Sequence, residues 1–269
     1  MKISVFLPHL LDAARQENLP LDEIFKKVRA MGYEGIEGDY AQILPMLPDL
    51  KKLLSDTGMA FSSVYTFQQF QKGYEEAPLL HLLDSLLAVP CKKLMVIPGF
   101  FTGEGMQELE MARMIDGLSF LCEAAMERGI TVTVENFGNP LSPCFTSEGL
   151  SFLLNEISLL QYTFDTGNFY FAREDAAAVF PLLSHRLAHA HIKNYSLQPL
   201  CSEEAEKAEG PEGRKAFPAS GGEGILPIRD CIRLIREAGY EGYLTVEQFG
   251  CARQMEAMEK SIRFIQSCL

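Results

Sequence analysis

The seven cysteines form no C-x-x-C pair, and their number is odd. A disulfide framework needs paired cysteines and an oxidising compartment, so reduced thiols and a cytoplasmic location are the expectation. Cys122 and Cys231 fall in helical patterns and read as packing residues. No apolar run approaches the ~18 residues of a membrane-spanning helix. The opening "MKISVFLPHL" has too short an apolar run for a signal peptide and no small-residue cleavage site. Lysine and arginine are scattered through a chain of net charge −12 and pI about 4.9. An acidic chain without a basic cluster repels phosphate backbones, so neither nucleic acid nor a membrane is an expected partner. No glycine-rich phosphate fingerprint follows the first strand-like run, where "VFLPHLLDAA" stands, which argues against a doubly wound dinucleotide fold. Histidine is scarce, with five residues in the chain, yet two of them share the stretch "LAHAHIKNY".

A core is affordable: 269 residues with 47% hydrophobic content can fold as one large α/β domain. Short runs rich in Val, Ile, Phe and Thr predict strands at Ile3–Leu7, Gly35–Asp39, Ala60–Tyr65, Lys93–Ile97, Ile130–Glu135, Gln161–Asp165, Ala188–Lys193 and Tyr243–Glu247. Amphipathic helices fit between them. "LDEIFKKVRAMGY" gathers Ile24, Phe25, Val28 and Met31 on one face, and "IRDCIRLIREAGY" does the same with Ile228, Cys231, Ile232 and Ile235. "GYEG" occurs at Gly32–Gly35 and again at Gly239–Gly242, each time after a helix and before a strand, and Gly129 marks a similar stop. Helix, C-capping glycine, strand is the repeating βα connection. Eight such units predict a single (β/α)8 barrel spanning residues 1–269. The segment at about 197–224 is acidic, rich in Gly and Pro, and reads as a loop insertion after the seventh strand.

Period-two alternation in the last four strands puts polar side chains on one face. Thr131, Thr133 and Glu135 share a face, as do Thr163 and Asp165, His189, His191 and Lys193, and Tyr243, Thr245 and Glu247. The opposite face is apolar in three of the four and suits contact with outer helices, so the polar face points into the barrel. Each strand ends on a potential metal ligand: Glu135, Asp165, His191 and Glu247. In a barrel those ends form one rim. Three carboxylates gathered there repel one another unless a cation sits among them. Oxygen-rich ligands with one nitrogen suit one divalent ion, Mn2+ first, with Mg2+, Co2+ or Zn2+ as alternatives. His189 lies two residues before His191, ~6.6 Å lower at the usual strand rise, and reads as a hydrogen-bonded interior residue. His9 is expected at the end of the first strand, lining the pocket, while His81 and His185 sit in helical patterns.

"MERGITVTVENFGNP", "FDTGNFYFA", "HAHIKNY", "GGEGILPI" and "AGYEGYLTVE" together resemble the sugar phosphate isomerase/epimerase group. That group has the xylose-isomerase-like barrel and includes ketose 3-epimerases and inosose dehydratases. The resemblance implies one divalent metal held by Glu135, Asp165, His191 and Glu247, with Glu135 and Glu247 as an acid–base pair. It departs where D-T-G-H becomes "DTGN", placing Asn168, where H-x-K-D becomes "HIKN", placing Asn194, and where an Arg after the metal-binding histidine is missing. These departures leave the metal ligands intact and bear on the substrate.

The expected function is therefore a metal-dependent isomerase or epimerase of a small sugar or polyol, working by proton transfer next to a carbonyl. Asn168, Lys193, His9 and Arg253 are the expected substrate contacts, with Arg173 as a further anion contact. Rival readings are an inosose-type dehydratase, a non-catalytic metal- or sugar-binding barrel or partner subunit, and a phosphodiesterase; the last needs more histidines than this rim offers. Self-association is a further expectation.

Overall fold

A computed structural model of the protein describes residues 1–103, 105–200 and 208–269. Eight parallel strands close into a barrel: β1 (Lys2–Phe6), β2 (Gly35–Asp39), β3 (Ala60–Phe67), β4 (Lys93–Ile97), β5 (Thr131–Glu135), β6 (Gln161–Asp165), β7 (Leu187–Ile192) and β11 (Tyr243–Val246). They pair in the order β1-β11-β7-β6-β5-β4-β3-β2 and back to β1. Helices α1 (Leu7–Glu17) and α2 (Leu21–Met31) join β1 to β2. Then α3 (Tyr40–Thr57), α4 (Glu76–Leu86), α5 (Gln107–Glu127), α6 (Ser147–Glu156) and α7 (Ala176–Leu183) alternate with the strands to β7. Finally α8 (Ile228–Glu237) precedes β11 and α9 (Gln254–Gln266) follows it. This is the (β/α)8 barrel that the alternation of patterns implies.

The helices form where their apolar stripes can be covered. In α8, Ile228, Cys231, Ile232 and Ile235 are buried at helical spacing. Full burial of each large aliphatic side chain stabilises by roughly 1.5–3 kcal/mol. Gly32, Gly129 and Gly239 all take positive φ at or just after helix ends, as the repeated helix–glycine–strand pattern requires. Cys122 and Cys231 lie in the hydrophobic core.

The barrel lumen is polar below its rim, and its polar groups bond across strands. Ser4 and Thr245 hydroxyls lie 2.7 Å apart, as do those of Thr133 and Thr163. Parallel register sets Thr163 beside His189 and Asp165 beside His191, so the ligand-bearing strand ends come level. Outward-facing Val132, Val134, Tyr162 and Phe164 are buried in the core.

Two expectations need correction. The first strand ends at Phe6, and His9 belongs to α1, because Pro8 opens that helix's first turn, where its missing N–H is no loss. The region after β7 is more than a loop: β8 (Asn194–Ser196), β9 (Ala208–Glu209) and β10 (Lys215–Ala219) form a small antiparallel sheet in the order β8-β10-β9. Residues 201–207 of the expected 197–224 insertion lie outside the described residues.

Candidate active site and metal centre

Glu135 ends β5, Asp165 ends β6, His191 lies near the end of β7, and Glu247 follows β11 directly. One ligand atom from each of the four comes within 4.8 Å of the others, and all four residues are buried. His191 Nδ1 lies 3.1 Å from Glu135 Oε2 and 3.4 Å from Glu247 Oε2. Asp165 Oδ1 accepts hydrogen bonds from the backbone N–H groups of Gly167 and Asn168, each at 2.7 Å. Its Oδ2 is buried and accepts no hydrogen bond among the described residues. Three buried carboxylates grouped with one imidazole are a donor set that fits a divalent cation, and the ammonium of Lys193, 3.2 Å from Asp165 Oδ2, offsets part of their charge.

Lys193, just past β7, reaches the same cluster. Its Nζ lies 3.2 Å from Asp165 Oδ2, contacts Glu247 and donates to Asn168 Oδ1 at 3.1 Å. The lysine stem needs Gly167: a Cβ there would stand 2.7 Å from Lys193 Cγ. Asn168 donates to the carbonyl of Asn136 at 2.9 Å, and Asn136 braces Asp165 through its backbone. Asn194 does not face this cluster. Its amide donates to Gly221 O while its oxygen accepts from Tyr195 and Leu226 N–H, which ties the chain after β7 to its return into α8.

A carboxylate outside the expected set completes the site. Glu37 of β2 is fully buried, with Oε1 3.1 Å from His191 Nε2 and Oε2 2.7 Å from His189 Nε2. Its signal in the sequence is the alternation in "GIEGD", which turns Glu37 to the face opposite Ile36. His189 lies beneath the rim and also meets Thr245 Oγ1 at 3.0 Å, the interior role expected of it.

Burial and charge set the protonation of these groups. At Glu37, burial opposes ionisation, but His191 and His189 outweigh it and hold the carboxyl far below its usual range. At His191, burial opposes the imidazolium, but Glu37 and Glu135 outweigh it and raise the pKa well above the ordinary value. Burial pushes His189 down to about 4, against the pull of Glu37. Burial raises Glu135, opposed by His191, and raises Asp165, opposed by Lys193. Lys193 is disfavoured by burial, but Asp165 and Glu247 hold its pKa well above the usual lysine value.

A cavity of about 410 Å³ opens above the cluster. Glu135, Asn168, Lys193 and Glu247 supply polar lining, and Phe6, Tyr65, Phe137, Phe171, Tyr195 and Phe249 supply aromatic walls. Two of the expected substrate contacts are elsewhere. His9 is fully buried, its Nε2 accepting from the Gln248 N–H at 2.8 Å and its ring packed on Phe249, outside the cavity lining. Arg253, at the start of α9, lies against Glu256 and lines a separate, smaller recess. Arg173 lines another cleft with Arg214 and Asp175. His81 and His185 lie on helical turns away from the cluster.

A family model described as the xylose isomerase-like TIM barrel matches residues 25–268. The inosose dehydratase of Geobacillus thermodenitrificans is 29% identical over 148 residues, covering 52% of this chain and 47% of that enzyme, so the match spans about half of that relative's length. The fructoselysine 3-epimerase of Shigella flexneri is 27% identical over 262 residues, covering 86% of each chain. Among solved structures, the probable 3-DHS dehydratase AsbF of Bacillus anthracis superposes with a TM-score of 0.76 at 18% identity, over 99% of each chain, a likeness of fold.

Proposed function

The chain belongs to the xylose isomerase-like TIM barrel family, and on that premise we propose that it is a divalent-metal-dependent isomerase or epimerase of a small, carbohydrate-like carbonyl compound. The observation that carries this reading is the buried Glu135–Asp165–His191–Glu247 cluster, of which Glu135 and Glu247 line the cavity and whose three carboxylates gather around one imidazole. Those four residues would hold the cation, which when bound would supply Lewis-acid stabilisation to a substrate oxygen as charge develops there.

The protein's own groups account for the proton movements. Glu135 is the base: burial raises its pKa and so strengthens it as a proton acceptor, while its link to His191 keeps it ionisable. It takes the proton from the carbon next to the carbonyl. Glu247 delivers a proton to the opposite face, which gives epimerisation; one carboxylate taking the proton and returning it to the former carbonyl carbon, while the neighbouring hydroxyl's proton passes to the former carbonyl oxygen, gives isomerisation. Lys193 brings an ammonium to the cavity edge and steadies a substrate oxygen and both neighbouring carboxylates. Asn168 orients that ammonium. Aromatic walls pack the carbon skeleton and keep water from the reacting carbon.

Dehydration is the second reading, favoured by the inosose dehydratases among the relatives. It needs the same proton abstraction, after which the hydroxyl on the adjacent carbon takes a proton from the carboxylic acid so formed and leaves as water, in place of reprotonation at carbon. Both asparagines that depart from the family pattern have structural partners, which weakens the case for a non-catalytic barrel.

The test is solvent exchange. Mn2+-loaded protein is incubated in D2O with a panel of ketoses and inososes, and deuterium is followed at the carbon next to the carbonyl. Exchange with inverted stereochemistry supports the epimerase, exchange with loss of water the dehydratase. No exchange with any member removes proton transfer from the reading.

A further inference from the structure

Glu37 stands outside the cavity and outside the four-residue cluster, yet it is fully buried with both oxygens engaged. Oε2 meets His189 Nε2 at 2.7 Å and Oε1 meets His191 Nε2 at 3.1 Å. An ionised carboxylate can only accept hydrogen bonds, so each Nε2 must carry a proton. In His191, Nε2–H points down to Glu37; Nδ1, 3.1 Å from Glu135 Oε2 and 3.4 Å from Glu247 Oε2, carries a proton by the same argument, and that second proton is the one a cation among those carboxylates would displace.

We infer that Glu37 is a positioning residue for the metal centre: by accepting the Nε2–H of His191 it reserves Nδ1 as the lone-pair donor to the cation. This rests on the proposal that the cluster holds a divalent ion. A metal-bound histidine held through its other nitrogen by a carboxylate gains both a fixed ring and greater basicity.

The surroundings make Glu37 a rigid anchor. His189 holds one oxygen and is itself held by Thr245, whose hydroxyl bonds Ser4 across the β1–β11 seam. The Phe6 ring packs edge-on against His191 at 5.0 Å and opposes its rotation. β2 carries Glu37 across the lumen to reach β7, and Gly35 and Gly38 on either side leave room where a side chain would crowd Tyr243 or Leu7.

Glu37, His189 and His191 also lie close enough to hold a second cation of their own. That arrangement would bridge two ions through both nitrogens of His191, which requires an imidazolate. All three residues are fully buried, and their spacings are those of hydrogen bonds with the protons in place.

The experiment is a calorimetric Mn2+ titration of metal-stripped wild type and Glu37→Gln. It is paired with long-range 1H–15N spectra of the histidine rings in Mg2+-loaded wild type. The expected result is one equivalent in each protein, with Glu37→Gln weaker by about 10–100-fold, and a His191 ring protonated at Nε2. The spectrum needs no variant, so misfolding of Glu37→Gln would leave the inference open to refutation. Equal affinity in the two proteins overturns it, as does a ring protonated at Nδ1. Two equivalents in wild type falling to one in Glu37→Gln overturns it in favour of a second ion. Wild type that takes up no ion fails the metal proposal itself, and His191's ligand role with it.

Discussion

Lys193 Nζ lies 3.2 Å from Asp165 Oδ2, the buried carboxylate oxygen that accepts no hydrogen bond among the described residues. The ammonium and a bound cation therefore compensate the same negative charge. Lys193→Met should destabilise the metal-stripped protein by about 3–5 kcal/mol, the usual cost of leaving one partner of a buried ion pair alone. Added Mn2+ should restore most of that loss. Thermal unfolding of wild type and variant, with and without Mn2+, checks both halves; equal loss in both conditions would contradict this shared role.

Proton linkage follows from His191. Its raised pKa in the metal-free site means that folding gains from the imidazolium fully below its ordinary value of 6.5, and loses that gain as pH rises through the raised value. Metal binding needs Nδ1 unprotonated, so Mn2+ affinity should rise with pH and each ion bound should release a proton. Calorimetry in two buffers of different ionisation enthalpy measures that release. A pH-independent affinity from pH 6 to 8 would be the contrary result.

The two glutamates should separate by effect on chemistry. Measured with Mn2+ raised until the weakened site refills, Glu135→Gln and Glu247→Gln are each expected to lower turnover by about 10²–10⁴-fold, the usual contribution of a positioned acid or base. In D2O, Glu247→Gln should still exchange the substrate proton slowly through Glu135, with configuration retained. Inversion at the wild-type rate in either variant would remove that residue from the proton path.

Gly167 tests the packing around the lysine. Gly167→Ala sets a Cβ 2.7 Å from Lys193 Cγ, so the stem must shift and the ammonium leave Asp165 and Asn168. Turnover should fall while the unfolding free energy drops by about 1–3 kcal/mol, as for other overpacked sites. Unchanged kinetics would show that the position of Lys193 is not critical.

The rim cluster was legible because β5 to β7 and β11 alternate cleanly and each carries a carboxylate or imidazole at, or within one residue of, its end. Glu37 was not, although its strand was: "GIEGD" has glycines where other strands carry β-branched residues, and its ligand-like group sits mid-strand rather than at the end. Its meaning depends on β2 facing β7 across the lumen, a relation no local pattern carries. His9 was misplaced because "VFLPHLL" is apolar on both sides of a strand–helix junction, where periodicity is ambiguous and only the proline marks the change. The sheet of β8, β9 and β10 was hidden because its strands are short and two of them fall in a polar stretch rich in Gly and Pro, where so few residues leave little alternation to read. Arg253 caps α9 and lines a different recess, and sequence proximity to Glu247 says nothing about which way that turn faces.

The central claim is that Glu135, Asp165, His191 and Glu247 hold one divalent cation. Its most direct test is elemental analysis and Mn2+ titration of purified wild type beside His191→Ala and Glu247→Gln. The account predicts one equivalent in wild type and a large loss in both variants, with all three proteins folded. No uptake by wild type, or uptake that survives both substitutions, would contradict it.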